Sequence, residues 1–348
     1  MTYYQLPQTR NFDHQLGDKR THLITLENSR GMAVGLTDFG ARIVSILVPD
    51  KGGNPIDVVL GFDSIHGYLT ATETYHGATI GRFANRIAKG RFVLNGESYY
   101  VAPNNGPNAL HGGANGFHNQ VWDRRVAHKE AVDFYYVSAD GESGFPGKLS
   151  VMVNYRLTDD NELVITYRAE TDKPTVLNLT NHNYWNLGGA FTGTIRDHVL
   201  MINADQYVPV DEALIPTGEL ASVAGTPLDF RNPKPIGQDI DKIKSDPVGY
   251  DHCYVLRSQG GALALAARVK DPDSGRVMEV YTTQPGMQLY TGNFLTGAES
   301  EGGAKQHEAF CLETQHFPDA PNQKNFASAV LRPGETYRQV TVHKFYAE

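Results

Sequence analysis

The strongest constraint in this chain is an alternation with a period of two residues that recurs from end to end. Leu149, Val151, Val153, Tyr155 and Leu157 alternate with Ser150, Met152, Asn154, Arg156 and Thr158. Successive side chains of a strand point to opposite faces, so this segment buries one face and wets the other. Asp159-Asp160-Asn161-Glu162 then reads as a turn. Leu163, Ile165, Tyr167 and Ala169 resume the alternation, which predicts an antiparallel hairpin. Further β-rich runs at Arg42 to Val48, Asp133 to Val137, Val277 to Thr282 and Glu335 to Lys344 are separated by turn residues such as Lys51-Gly52-Gly53-Asn54. Helical signals are scarce. The best is Asp63-Ser64-Ile65-His66-Gly67-Tyr68, where Asp63 is placed to cap a single turn.

These features predict an all-β chain. No low-complexity linker, charge run or internal repeat divides its 348 residues, although Val208 to Tyr250 is loop-rich. Residues 1–348 therefore read as a single domain, a large antiparallel sandwich with its site in loops at one face or edge. A hydrophobic content of 40% with 20% charged residues supports a packed core. The formal net charge of -8, with no Lys/Arg cluster, argues against a nucleic-acid partner. Two cysteines, Cys253 and Cys311, are too few for a disulfide framework or a cysteine-based zinc site and are expected as buried thiols. Met1 to Pro7 lacks the features of a secretory signal, and no stretch approaches the roughly 20 apolar residues of a membrane span. A cytoplasmic chain without a membrane partner is expected, as a monomer or homodimer.

Nucleotide-binding glycine motifs, the G-x-S-x-G elbow and H-E-x-x-H are all absent. What remains is a set of five polar segments in β-rich surroundings. They run Gly81-Arg82-Phe83-Ala84-Asn85-Arg86-Ile87, Asn108-Ala109-Leu110-His111-Gly112-Gly113, Asn178 to Leu187, Gly249-Tyr250-Asp251-His252-Cys253 and Cys311 to Asp319. Asn, His, Asp, Glu, Arg and aromatics converging from separate loops suit a sugar, whose hydroxyls need fixed donors and acceptors and whose C–H face stacks on an aromatic ring. Trp185 and Phe317 are candidates for that ring. Taken singly each residue has a plainer reading: His111 as a turn or core histidine, Asp251 as a turn cap, Glu313 as the paired charge of a strand. Glu313 is nonetheless unusual, because an acid beside Cys311 and Leu312 sits where a buried carboxylate needs a partner.

In this order, the five segments resemble the aldose 1-epimerase (galactose mutarotase) family over nearly the whole chain. The resemblance extends to Thr282 to Asn293 and to Leu331-Arg332-Pro333-Gly334-Glu335. It implies a β-supersandwich of antiparallel strands, no cofactor and no metal. It also implies a catalytic base at Glu313 and a catalytic acid at His182, with His111 assisting near the ring oxygen. Asn85, Arg86, Asn183, Tyr184, Asp251 and Gln288 would hold the sugar. Arg82, separately, is expected to be structural.

Mutarotation of a free hexose needs an acid and a base acting together, which suggests an ionised Glu313 beside a protonated His182, each charge favouring the other. Four rivals remain. An epimerase of a phosphorylated hexose or a disaccharide would use the same fold, a phosphate calling for more Lys or Arg. A non-catalytic sugar-binding protein would keep the hydroxyl clamps, and a glycosidase would pair Asp251 with Glu313. A metal site built on His111, His182, His252 and His316 is weakest, because they show no ligand spacing.

Overall fold

In the computed structural model, which describes residues 5–348, the strongest alternation becomes the hairpin of Leu149–Leu157 and Glu162–Thr171. Leu149 faces Thr171 and Leu157 faces Leu163. The five alternating apolar residues from Leu149 to Leu157 are all buried, while Ser150 and Arg156 are exposed. Each large apolar side chain removed from water contributes roughly 1.5–3 kcal/mol, which is why one register is selected over its one-residue slip. Residues 1–4 of the expected domain lie outside the described residues.

This hairpin sits inside a nine-stranded sheet. Glu162–Thr171 pairs with Tyr337–Ala347, which pairs on its other side with Arg276–Thr282, all antiparallel. The C-terminal segment is thus an interior strand. A four-stranded sheet is formed by Leu23–Glu27, Ala33–Thr37, Arg42–Pro49 and Pro55–Asp57, and a five-stranded sheet includes Asp251–Leu256, Gly286–Tyr290 and Cys311–Gln315. One apolar cluster draws Leu26 and Ile46 from the four-stranded sheet, Val153 and Tyr167 from the nine-stranded sheet, and Met287 and Leu312 from the five-stranded sheet. The predicted all-β, antiparallel architecture is what the chain adopts.

Two local details differ from expectation or explain it. The short helix spans Ile65–Thr70, but its cap is Ser64, not Asp63: Ser64 is extended and its Oγ accepts from the Gly67 amide at 3.4 Å. Asp63 lies one residue too early and offers its carbonyl to Asn11 Nδ2. Cys253 and Cys311 are free, buried thiols. Among the described residues no helix is long and apolar enough to cross a membrane.

Candidate active site

Register in the five-stranded sheet sets the first part of the site. Gln288 faces Glu313 on one side and Cys253 on the other, while Asp251 faces Tyr290. Asp251, Gln288 and Glu313 therefore arrive on neighbouring strands from segments far apart in the chain. His182 ends the short strand Thr180–His182, which pairs with Ala78–Ile80.

A second pair of segments closes the opposite wall. Ala109 and Leu110 pair with Ile87 and Arg86. Just beyond, the His111 amide donates to the Asn85 carbonyl at 3.1 Å and the Asn85 amide donates back to His111 Nδ1 at 3.2 Å. Both residues adopt the left-handed conformation, at φ 63° and 53°, which asparagine and histidine tolerate better than most residues. Gly112 follows at φ 85°, where a Cβ would stand 2.0 Å from the Gly81 carbonyl oxygen, so the turn that presents His111 requires glycine there.

These walls enclose a cavity of about 640 Å³ lined by Asn85, Arg86, His111, His182, Tyr184, Asp251 and Glu313, among others. Its volume falls in the usual range for small-molecule sites. His182 Nε2 lies 3.5 Å from Glu313 Oε1, and the two residues are only 4% and 2% exposed. The His111 and His182 rings meet edge to face at 5.2 Å, and Tyr75 stacks on His182 at 5.7 Å. Gln288 Nε2 donates to Asp251 Oδ1 at 2.6 Å, and Arg86 Nε donates to Asn105 Oδ1 at 3.1 Å. Glu313 Oε2 and Gln288 Oε1 are buried without a protein hydrogen-bond partner among the described residues. Buried polar atoms of that kind suit a ligand rich in hydroxyls.

Burial also sets the electrostatics. It pushes the Glu313 carboxyl well above the usual range, reinforced by the charges of Asp251 and Glu73 and opposed by Arg86. Burial lowers His182 to about 3, with His76 adding to the effect, and holds His111 well below its ordinary value. Burial thus works against the charged form of both groups in the free site, and an ionised pair there has to recover that desolvation from its mutual attraction and from its neighbours.

His111, His182 and Glu313 each present one potential metal-ligand atom within 4.8 Å of the others, a grouping that sequence spacing had hidden. The Asn85 amide bears on whether they suit a metal. Because it occupies the His111 Nδ1 lone pair, the hydrogen of the neutral ring sits on Nε2. Neither nitrogen of His111 then offers a free lone pair, and the arrangement fits a hydrogen-bond donor better than a ligand.

The family model for aldose 1-epimerase matches residues 22–344. The chain belongs to that family. It is 49% identical to galactose mutarotase of Bos taurus over 317 residues, covering 90% of this chain and 91% of the relative. It is 42% identical to the aldose 1-epimerase of Escherichia coli K12 over 332 residues, covering 94% and 95%. Among solved structures, an aldose epimerase homologue from C. elegans aligns with a TM-score of 0.87 at 34% identity, covering 94% of this chain and 99% of that one.

Within this aldose 1-epimerase, the residues expected at the site are not equivalent. Gln288 sits opposite Glu313 in the sheet and holds Asp251 through its Nε2, with its Oε1 left unpartnered among the described residues. Asn183 falls between two lining residues, His182 and Tyr184, and is itself absent from the cavity wall. Trp185 and Phe317 are corrected: Trp185 is buried against His343 and Phe345, and Phe317 packs on Phe326. Neither reaches the cavity, whose aromatic side chains include Tyr75, Tyr184, Tyr290 and Phe294. Sequence reasoning also missed Glu73, a cavity carboxyl that burial raises to about 7. Its surroundings, Thr72-Glu73-Thr74-Tyr75, read as an ordinary polar loop, and only the fold carries it to the wall.

Proposed function

We propose that the chain interconverts the α and β anomers of free aldohexoses such as galactose and glucose, with Glu313 as base and His182 as acid. The observation that carries this reading is the buried pair itself, 3.5 Å apart in a cavity rich in hydroxyl partners. Mutarotation needs one proton to leave the anomeric hydroxyl and another to reach the ring oxygen. Glu313 takes the first and His182 supplies the second, so the bond from C1 to the ring oxygen breaks and an open-chain aldehyde forms. Rotation about C1–C2 presents the other carbonyl face, and the reverse transfers close the opposite anomer.

Ring opening leaves Glu313 and His182 neutral, the state that their burial favours. The ionised starting state is supported by Arg86, whose charge lowers the Glu313 carboxyl, and by sugar hydroxyls donating to its unpartnered oxygen. His111, with its hydrogen on Nε2, is suited to donate near the ring oxygen. Asn85, Arg86, Tyr184 and Asp251 are placed to hold hydroxyls, with Gln288 orienting Asp251.

The lining carboxyls Glu73, Glu212, Asp251 and Glu313 face one lining guanidinium, Arg86, which disfavours a phosphorylated hexose. Retention of both acid and base disfavours a protein that only binds sugar. The test is polarimetry on freshly dissolved α-D-galactose and α-D-glucose. Wild-type protein accelerates the rotation change; Glu313→Gln and His182→Asn each lower turnover by about 10² or more while still folding, and the double variant loses little beyond either. A folded Glu313→Gln protein keeping more than roughly a tenth of wild-type turnover removes Glu313 as base.

A further inference from the structure

Phe294 stands apart from the other aromatic residues of the lining because it is 54% exposed, whereas Tyr184 and Tyr290 are buried. Single exposed apolar side chains are common and by themselves mean little. This one is held in place by its neighbours. Asn293 Nδ2 donates to the Tyr250 carbonyl at 2.9 Å, and its Oδ1 accepts from Thr291 Oγ1 at 2.6 Å. The Phe294 amide donates to the Tyr290 hydroxyl at 3.0 Å, and the two rings lie nearly parallel, 22° apart with centroids at 6.5 Å. A fixed, outward-facing phenyl group backed by a second ring thus marks the mouth of a polar cavity.

Where a sugar would meet it follows from the chemistry at the floor. C1 and the ring oxygen must reach Glu313 and His182, which are almost wholly buried. In a pyranose the opposite edge is C3–C4, which then points to the mouth. In galactose the axial 4-hydroxyl leaves one face, over C3, C4 and C5, as a continuous patch of C–H groups. The equatorial 4-hydroxyl of glucose interrupts that contrast between the faces. Aromatic faces stack on such C–H patches.

We propose that Phe294, backed by Tyr290, is the stacking face for the C3–C5 edge of the sugar and favours galactose-configured hexoses over glucose. The inference rests on the mutarotase reading and adds a specificity-determining residue to it. The test is polarimetric kinetics of wild type, Phe294→Ala, Phe294→Leu and Phe294→Tyr on both sugars, with thermal melts. Because the ring is exposed, all four proteins should melt alike. The alanine and leucine variants should raise the galactose KM about five- to tenfold, raise the glucose KM less than about twofold and keep kcat within about threefold, while tyrosine restores wild-type values. An unchanged galactose KM, an equal rise for both sugars, or a rise for leucine far below that for alanine overturns the proposal. A wild-type protein without mutarotase activity on either sugar would instead end the mutarotase reading itself.

Discussion

Arg82 and Arg86 lie one turn of sequence apart in Gly81 to Ile87, yet the fold gives them opposite surroundings. Arg82 donates to Ser138 Oγ and to the carbonyls of Pro146, Ser138 and Ala139, at 2.7 to 3.1 Å. Removing it strands buried acceptors, so Arg82→Ala should cost about 3 kcal/mol or more in chemical denaturation. Arg86 turns its guanidinium to the cavity, where it also draws the Glu313 carboxyl downward. Arg86→Ala should therefore leave the melting temperature nearly unchanged while raising KM and lowering kcat in polarimetry, the second through a misplaced and less readily ionised base. Matching melting curves for the two variants would contradict this division. That Arg82 faces the scaffold and Arg86 the cavity was legible in the sequence. That Trp185 belongs to the core was not, because an aromatic ring beside polar residues looks the same in a chain whether it packs inward or opens to a cavity.

Strand alternation was the most readable feature at the level of elements, and its limit is equally physical. It assigns side chains to faces but does not say what lies against a face. Tyr155 illustrates this. Its buried position follows from the pattern, yet its hydroxyl donates to the Ala41 carbonyl at 2.7 Å and accepts from Asn181 Nδ2 at 3.4 Å. It thereby ties the nine-stranded sheet to the strand that ends in His182. Tyr155→Phe should lose about 1–2 kcal/mol of stability, the range for one buried hydrogen-bonding group. It should also lower kcat modestly without moving KM, because the strand bearing the acid loses a tether and the hydroxyl ligands keep theirs. A change in KM alone would place the effect elsewhere.

Across the whole molecule, burial of titratable groups predicts how stability follows pH. His118, His182 and His343 are lowered to about 3, and His76, His198 and His316 to about 4, chiefly by burial. A histidine kept neutral by the fold contributes fully above its ordinary value of about 6.5 and loses that contribution as pH falls toward its folded value. Asp57 and Glu73, both raised to about 7 by burial, and Glu313, pushed well above its ordinary range, act in the opposite sense and weaken the fold as pH rises above the usual carboxylate range. The histidines are more numerous, so the melting temperature should fall between about pH 6.5 and about pH 4.5. A melt series showing constant or rising stability on acidification would contradict that balance. The sequence by itself determined the all-β class, the hairpin with its buried face and, through resemblance, the residues expected at the site, because alternation and motif order are properties of the chain. Only the tertiary structure decided that Glu313 and His182 meet at 3.5 Å in a buried setting, that Gln288 hydrogen-bonds Asp251, and that Glu73 and Phe294 line the wall. Those facts depend on which strands become neighbours and how much water their packing removes, and neither is carried by any one segment.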